Sequence, residues 1–133
     1  MDKLVISNPS ASDLVKKRMH QLATGLTLIS QGIPFLHAGG QEFFRTKNGG
    51  DENSYISGDE INQLDWEKRG EEDENVQWVR QLISLRKNYH LFRLSTAEEI
   101  FYRLHIINAK DPVFGYMLFG GSGRFCYLCQ SNR

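Results

Sequence analysis

Residues 32–66 constrain this chain more than any other stretch. The short apolar run Ile33-Pro34-Phe35-Leu36-His37-Ala38 stands between Gly32 and the pair Gly39-Gly40. A run this short, bounded by glycines, predicts a buried strand. Pro34 is compatible with that, because the start of a strand need not donate to the ladder. The next residues, 39–70, hold no sustained apolar period. A loop of that length inside a compact protein is uncommon and is usually functional. Together they predict an α/β unit whose ligand face lies beyond the C-terminal end of the strand.

The flanks support this order. Ser10 or Ser12 can cap a helix, with Asp13 in its first turn. Val15, Met19, Leu22, Leu26 and Ile29 then step by three and four as a helical stripe, and Gly32 suits the helix end. Residues 1–9 read as a frayed lead-in. After the loop, Asn75 is a candidate cap for a second helix with the stripe Trp78, Leu82, Leu85, Tyr89 and Phe92. The period then changes. Residues 101–107, 113–119 and 125–130 are rich in β-formers and are separated by Lys110-Asp111-Pro112 and Gly120-Gly121-Ser122-Gly123. They predict antiparallel strands. The expected division is therefore α/β over residues 1–96 and β over 97–133.

Charge limits the partners. Lysine plus arginine equals aspartate plus glutamate at 16 each, which argues against a strongly basic nucleic-acid binder. Eleven of the acids fall between Glu42 and Glu74, opposed there only by Arg45, Lys47, Lys68 and Arg69. That segment is unsuited to phosphate or other anions. No run approaches the roughly 18 apolar residues of a membrane span. Leu4-Val5-Ile6 is far too short for a secretory apolar region. The compartment, cytoplasmic or secreted, stays open. Cys126 and Cys129 form a C-x-x-C with no second pair to complete a zinc ribbon. In a strand they face opposite sides, which fits two free thiols.

The loop residues Arg45, Asn48, Asp51, Asn53, Tyr55, Asp59, Asn62, Gln63 and Trp66 suit a neutral polyhydroxylated ligand. Planar polar groups bridge neighbouring hydroxyls, and aromatics cover a sugar ring. The alternative is a structural loop whose polar side chains satisfy its own backbone. Paired carboxylates for glycosidic acid–base work stand about 5–10 Å apart. Glu42, Asp51, Glu52, Asp59 and Glu60 qualify by type alone. Asp51, Glu52, Asn53 and Asp59 also offer hard oxygens to calcium, but without EF-hand spacing.

Four segments carry a family resemblance. Residues 31–39 (QGIPFLHAG), 41–47 (QEFFRTK), 53–55 (NSY) and 58–66 (GDEINQLDW) closely resemble type I pullulanases, debranching enzymes of the α-amylase superfamily in glycoside hydrolase family 13. The resemblance covers roughly residues 10–120 and is strongest over 20–95. It implies a (β/α)8 TIM barrel followed by an antiparallel β-sandwich. Residues 12–31 then match the seventh barrel helix, 33–37 the eighth strand and 75–89 the eighth helix, with the opening sandwich strands from about residue 98. It implies an α-glucan substrate hydrolysed at α-1,6 branch points, no required cofactor, and dependence on a missing N-terminal part of the barrel. The family's catalytic Asp, Glu and Asp have no counterpart here: its third catalytic residue lies in a His-Asp-Asn segment, and no His-Asp pair occurs in this sequence.

Substrate contact is what carries over. Asp59 matches the family's acid that hydrogen-bonds a glucosyl unit on the non-reducing side of the cleaved bond. Gln63 stands where relatives often have arginine, and it lacks the charged fork; Asn62 is the substitute for that role. Arg45, Asn53 and Tyr55 are expected to shape the loop, and Glu42 to anchor the strand end. Gly39-Gly40 and Gly49-Gly50 each extend a single family glycine, and the tail SGRFCYLCQSNR matches only loosely. The competing expectations are a non-catalytic carbohydrate-binding module and a piece of another superfamily enzyme, such as an isoamylase or branching enzyme.

Overall fold

The computed structural model describes residues 2–47, 51 and 53–121, together with the backbone of 123–130. The helices are α1 (Asp2–Ser7), α2 (Asp13–Ile29), α3 (Gly40–Phe43), α4 (Asp59–Asn62), α5 (Trp66–Glu71), α6 (Asp73–Asn88) and α7 (Ala97–Arg103). Short 3-10 turns occupy Ser54–Ile56 and His90–Arg93. The strands β1 (Leu104–Ile106), β2 (Val113–Gly120) and β3 (Gly123–Gln130) form one antiparallel sheet in that order. The chain divides into two compact units, residues 1–28 with 34–84, and 29–33 with 85–133.

In the first unit α2 starts where the sequence predicts. The Val15 N–H donates to Ser12 Oγ at 3.4 Å, an N-cap that satisfies one of the helix's free donors. Of the predicted stripe, however, only Ile29 is buried. Lys16, Thr24 and Leu28 are buried one helical turn or two apart, whereas Val15 is 44% exposed. Tertiary neighbours decide this. His20 meets the Phe44 ring edge-on at 5.2 Å, and Trp78 packs 3.7 Å from where a Cβ on Gly25 would stand. Lys17 pairs with Glu72 and lies over the Phe44 ring.

Three further expectations change. Residues 2–7 form a helix rather than a frayed lead-in. Residues 33–37 form no helix and pair in no ladder among the described residues, and Ile33 and Phe35 are 98% and 89% exposed. A strand needs a neighbour for its N–H and C=O groups, and no described segment lies alongside as one. Asn75 lies inside α6 instead of capping it. Its Nδ2 donates to the carbonyls of Gln41 (2.9 Å) and Glu42 (2.7 Å), and its Oδ1 accepts from Gln21.

In the second unit Arg86 is buried and donates to the backbone carbonyls of Ser30 and Gly32, so it fixes the turn after α2. The Tyr116 hydroxyl donates to the Ile29 carbonyl at 2.7 Å. Leu91, Phe92, Leu94 and Leu118 are buried. Of the strand expected over 101–107, residues 101–103 belong instead to helix α7 and 104–106 form β1. Thr96 Oγ1 accepts from the Glu99 N–H, and the Glu99 carboxylate accepts from Ser95, a reciprocal cap that starts a helix despite the β-formers within it. Cys126 and Cys129 do fall in a strand, opposite Met117 and Phe114 in the β2–β3 register.

Candidate functional site

The polar loop leaves residues 33–38 through a tight reversal. Gly39 has φ 78° and Phe44 has φ 56°, so α3 is wound between two left-handed residues. A Cβ at Gly39 would stand 2.7 Å from the Phe43 ring, so only glycine fits. Gly40 opens α3, where a Cβ would meet only ordinary contacts. Phe44 tolerates its rare backbone because its side chain is buried and its carbonyl accepts from Lys68 Nζ at 3.2 Å. Glycines 49 and 50, and Asn48 and Glu52, lie outside the described residues.

Beyond this reversal the loop is organised on Asn62. Its Nδ2 donates to the carbonyls of Ser54 (2.6 Å) and Ser57 (2.9 Å), with that of Gly58 at 3.4 Å. Its Oδ1 accepts from Lys47 Nζ at 3.3 Å, and its carbonyl accepts from the Arg45 guanidinium. Arg45 also donates to the Ala38 carbonyl at 3.3 Å. Asp51 closes the other end, accepting from the Asn53 N–H and the Ser57 hydroxyl, both at 2.9 Å. The Asn62 amide and the Arg45 guanidinium therefore donate to backbone carbonyls of the loop and its entry.

Asp59 and Gln63 differ. Both are exposed, at the first residue and the C-cap of α4, and their side chains make no hydrogen bond or ion pair to the described residues. Tyr55 is 83% exposed. An open cavity of about 810 Å³ is lined by Gln63, Arg45, Glu60 and the exposed Trp66, among others. Asp59, Asn62, Asn53 and Tyr55 lie outside its lining. The arrangement offers a free carboxylate, a free amide and an exposed indole on a rigid frame, which suits a neutral hydroxylated ligand.

A second cavity, of about 510 Å³, brings Asp2, His20, His37, Gln41 and Lys47 together beneath the loop. Burial lowers the His20 pKa to about 4, so the ring is neutral at pH 7. Glu42 Oε2 and Arg45 Nε are buried without a hydrogen-bond partner among the described residues. No three His, Cys, Asp or Glu side chains among the described residues are grouped to hold a metal ion. Within the same limits, no helix is long and apolar enough to cross a membrane. The sequence reading passed over Lys47 and Ser54. Their only signal was a lysine in an acid-rich loop.

No family model matches the chain. It is 45% identical over 118 residues to the pullulanase of Bacillus subtilis, covering 89% of this chain and 16% of that protein. Its fold is similar to that of a mutant pullulanase from Paenibacillus barengoltzii complexed with maltotetraose, with a TM-score of 0.83 and 49% identity over 88% of this chain and 18% of that one. It is likewise similar to a pullulanase from Anoxybacillus sp. LM18-11 complexed with maltotetraose, with a TM-score of 0.83, 42% identity, and 88% and 17% coverage. The chain thus spans less than a fifth of the length of these relatives.

Proposed function

This chain is homologous to pullulanases, and from that premise we propose that it forms the closing part of a pullulanase barrel and one wall of its substrate cleft. In this reading residues 1–96 supply the seventh helix, eighth strand, substrate loop and eighth helix, and residues 97–133 open an antiparallel sandwich. The whole enzyme hydrolyses α-1,6-glucosidic branch linkages in an α-glucan, with retention through a glycosyl-enzyme intermediate. The catalytic carboxylates belong to barrel strands that this chain does not span, so the chain alone does not turn over pullulan.

One observation carries the assignment of the wall. Asp59 and Gln63 stand exposed and unengaged on a loop where the side chains of Asn62, Lys47 and Asp51 bond within the loop itself. Asp59 accepts from the hydroxyls of a donor-side glucosyl unit, and Gln63 donates and accepts beside it. Two features support the missing barrel. Ile33 and Phe35 are exposed, where neighbouring strands of a barrel would cover them. Glu42 Oε2 is buried and has no donor among the described residues, one that such a neighbour would supply.

The test grafts residues 2–120 of this chain into the Bacillus subtilis pullulanase in place of its aligned segment. The graft hydrolyses pullulan, and the isolated chain does not. Asp59→Ala in the graft lowers kcat/KM by about 10- to 100-fold, the loss of one or two hydrogen bonds to a charged acceptor. A graft that works equally well with and without Asp59 overturns the assignment.

A further inference from the structure

We infer that Lys47 is the positioning residue that sets where the Asp59–Gln63 turn stands. This rests on the reading of that turn as the sugar-contacting element. Lys47 Nζ donates to Ser54 Oγ at 2.6 Å and to Asn62 Oδ1 at 3.3 Å. Its backbone N–H donates to Asp2 Oδ2 at 3.0 Å. One residue therefore ties α1, the Ser54–Ile56 turn and the last residue of α4 to a single point.

The chemistry of the contact argues for placement rather than charge neutralisation. Among the described residues the ammonium meets only neutral oxygens, a hydroxyl and an amide. It is compact and offers three donors, so it can bridge two oxygens that would otherwise have no common partner. It also sets the orientation of Asn62. An amide nitrogen facing an ammonium would place donor against donor, so Oδ1 must face Lys47 and Nδ2 must face the carbonyls of Ser54 and Ser57. A charged donor on Oδ1 polarises the amide and strengthens those two bonds. Ser54 is buried, so the near end of the bridge is fixed. Asn62 lies three residues after Asp59 and one before Gln63, so its side chain governs both. Of Asn62, Arg45 holds the backbone carbonyl and not the side chain, and removing Lys47 leaves that contact intact.

Two measurements test this. In the full chain, Lys47→Met raises amide hydrogen exchange across residues 53–63 by about tenfold or more, as expected for losing a charge-assisted bridge, and leaves α6 unchanged. In the pullulanase graft, Lys47→Met raises KM about tenfold with kcat within about twofold, and Lys47→Arg, which keeps charge and donors, recovers most of the loss. Unchanged exchange over 53–63 overturns the inference. So does an equal rise in α6, which would make Lys47 a general stabiliser. Loosened exchange with unchanged kinetics keeps the clamp and removes the sugar-contact reading of the turn. If Lys47→Met does not fold, Ser54→Ala removes the same bridge from its other end and is read by the same criteria.

Discussion

Asn62→Ala separates a loop-shaping residue from a sugar contact. The two Nδ2 protons serve the carbonyls of Ser54 and Ser57, and Oδ1 takes the Lys47 ammonium at the long distance of 3.3 Å. A neutral hydrogen bond contributes about 1 kcal/mol net, and one to a charged group somewhat more. Ser54 is buried and keeps the full cost of a stranded carbonyl, whereas Ser57 is half-buried and water recovers part of its loss. The sum is about 2 kcal/mol. Urea unfolding followed by circular dichroism, with the slope unchanged, reads that loss as a lowered midpoint. Asn62→Asp sharpens the test: it keeps an oxygen towards Lys47 but replaces two donors with an acceptor aimed at carbonyls, so it should not recover the Ala deficit. An Asn62 that served only sugar would behave as a surface position, and its loss would change stability by less than about 0.5 kcal/mol. That small value would refute the hub role.

Two further perturbations address the frame. Gly39→Ala forces a Cβ to 2.7 Å from the Phe43 ring at φ 78° and should cost about 2–4 kcal/mol, whereas Gly40→Ala should be near neutral; equal melting temperatures for the two would contradict the left-handed turn. His20 gives a pH signature. Its folded pKa is lowered to about 4 from 6.5, so between these values the unfolded chain binds a proton that the folded chain does not. Stability therefore falls as pH drops from about 6.5 towards 4, and His20→Phe should flatten the upper part of that window, above pH 5, in urea titrations. A variant with the same slope as the parent chain would show that the ring is not desolvated.

Much of this chain was readable without coordinates, where the signal was local. A serine cap followed by a helical period located α2, a second period located α6, and β-formers between Gly- and Pro-containing turns located β2 and β3. The motif residues around Asp59 pointed to the family. Where local signals competed, the reading failed. Residues 101–103 looked like strand because Phe101 and Tyr102 are β-formers, yet the Thr96–Glu99 cap starts a helix that runs through them. The apolar run at 33–37 had the composition of a buried strand but lacks a described neighbour to pair with.

Which polar residues of the loop build it and which remain free for a ligand was not legible at all. Asp59, Asn62 and Gln63 are adjacent and equally polar, and composition treats them alike. Tertiary structure separated them, because Lys47 and Arg45 converge on Asn62 from positions 15 and 17 residues away and leave its two neighbours facing solvent. Sequence alone determined the helix periods, the β-rich end and the family likeness, because each is written in residues close together along the chain. The buried face of α2, the partners of Asn75 and the clamp on the loop depend on which distant atoms meet, and only the folded chain decides that.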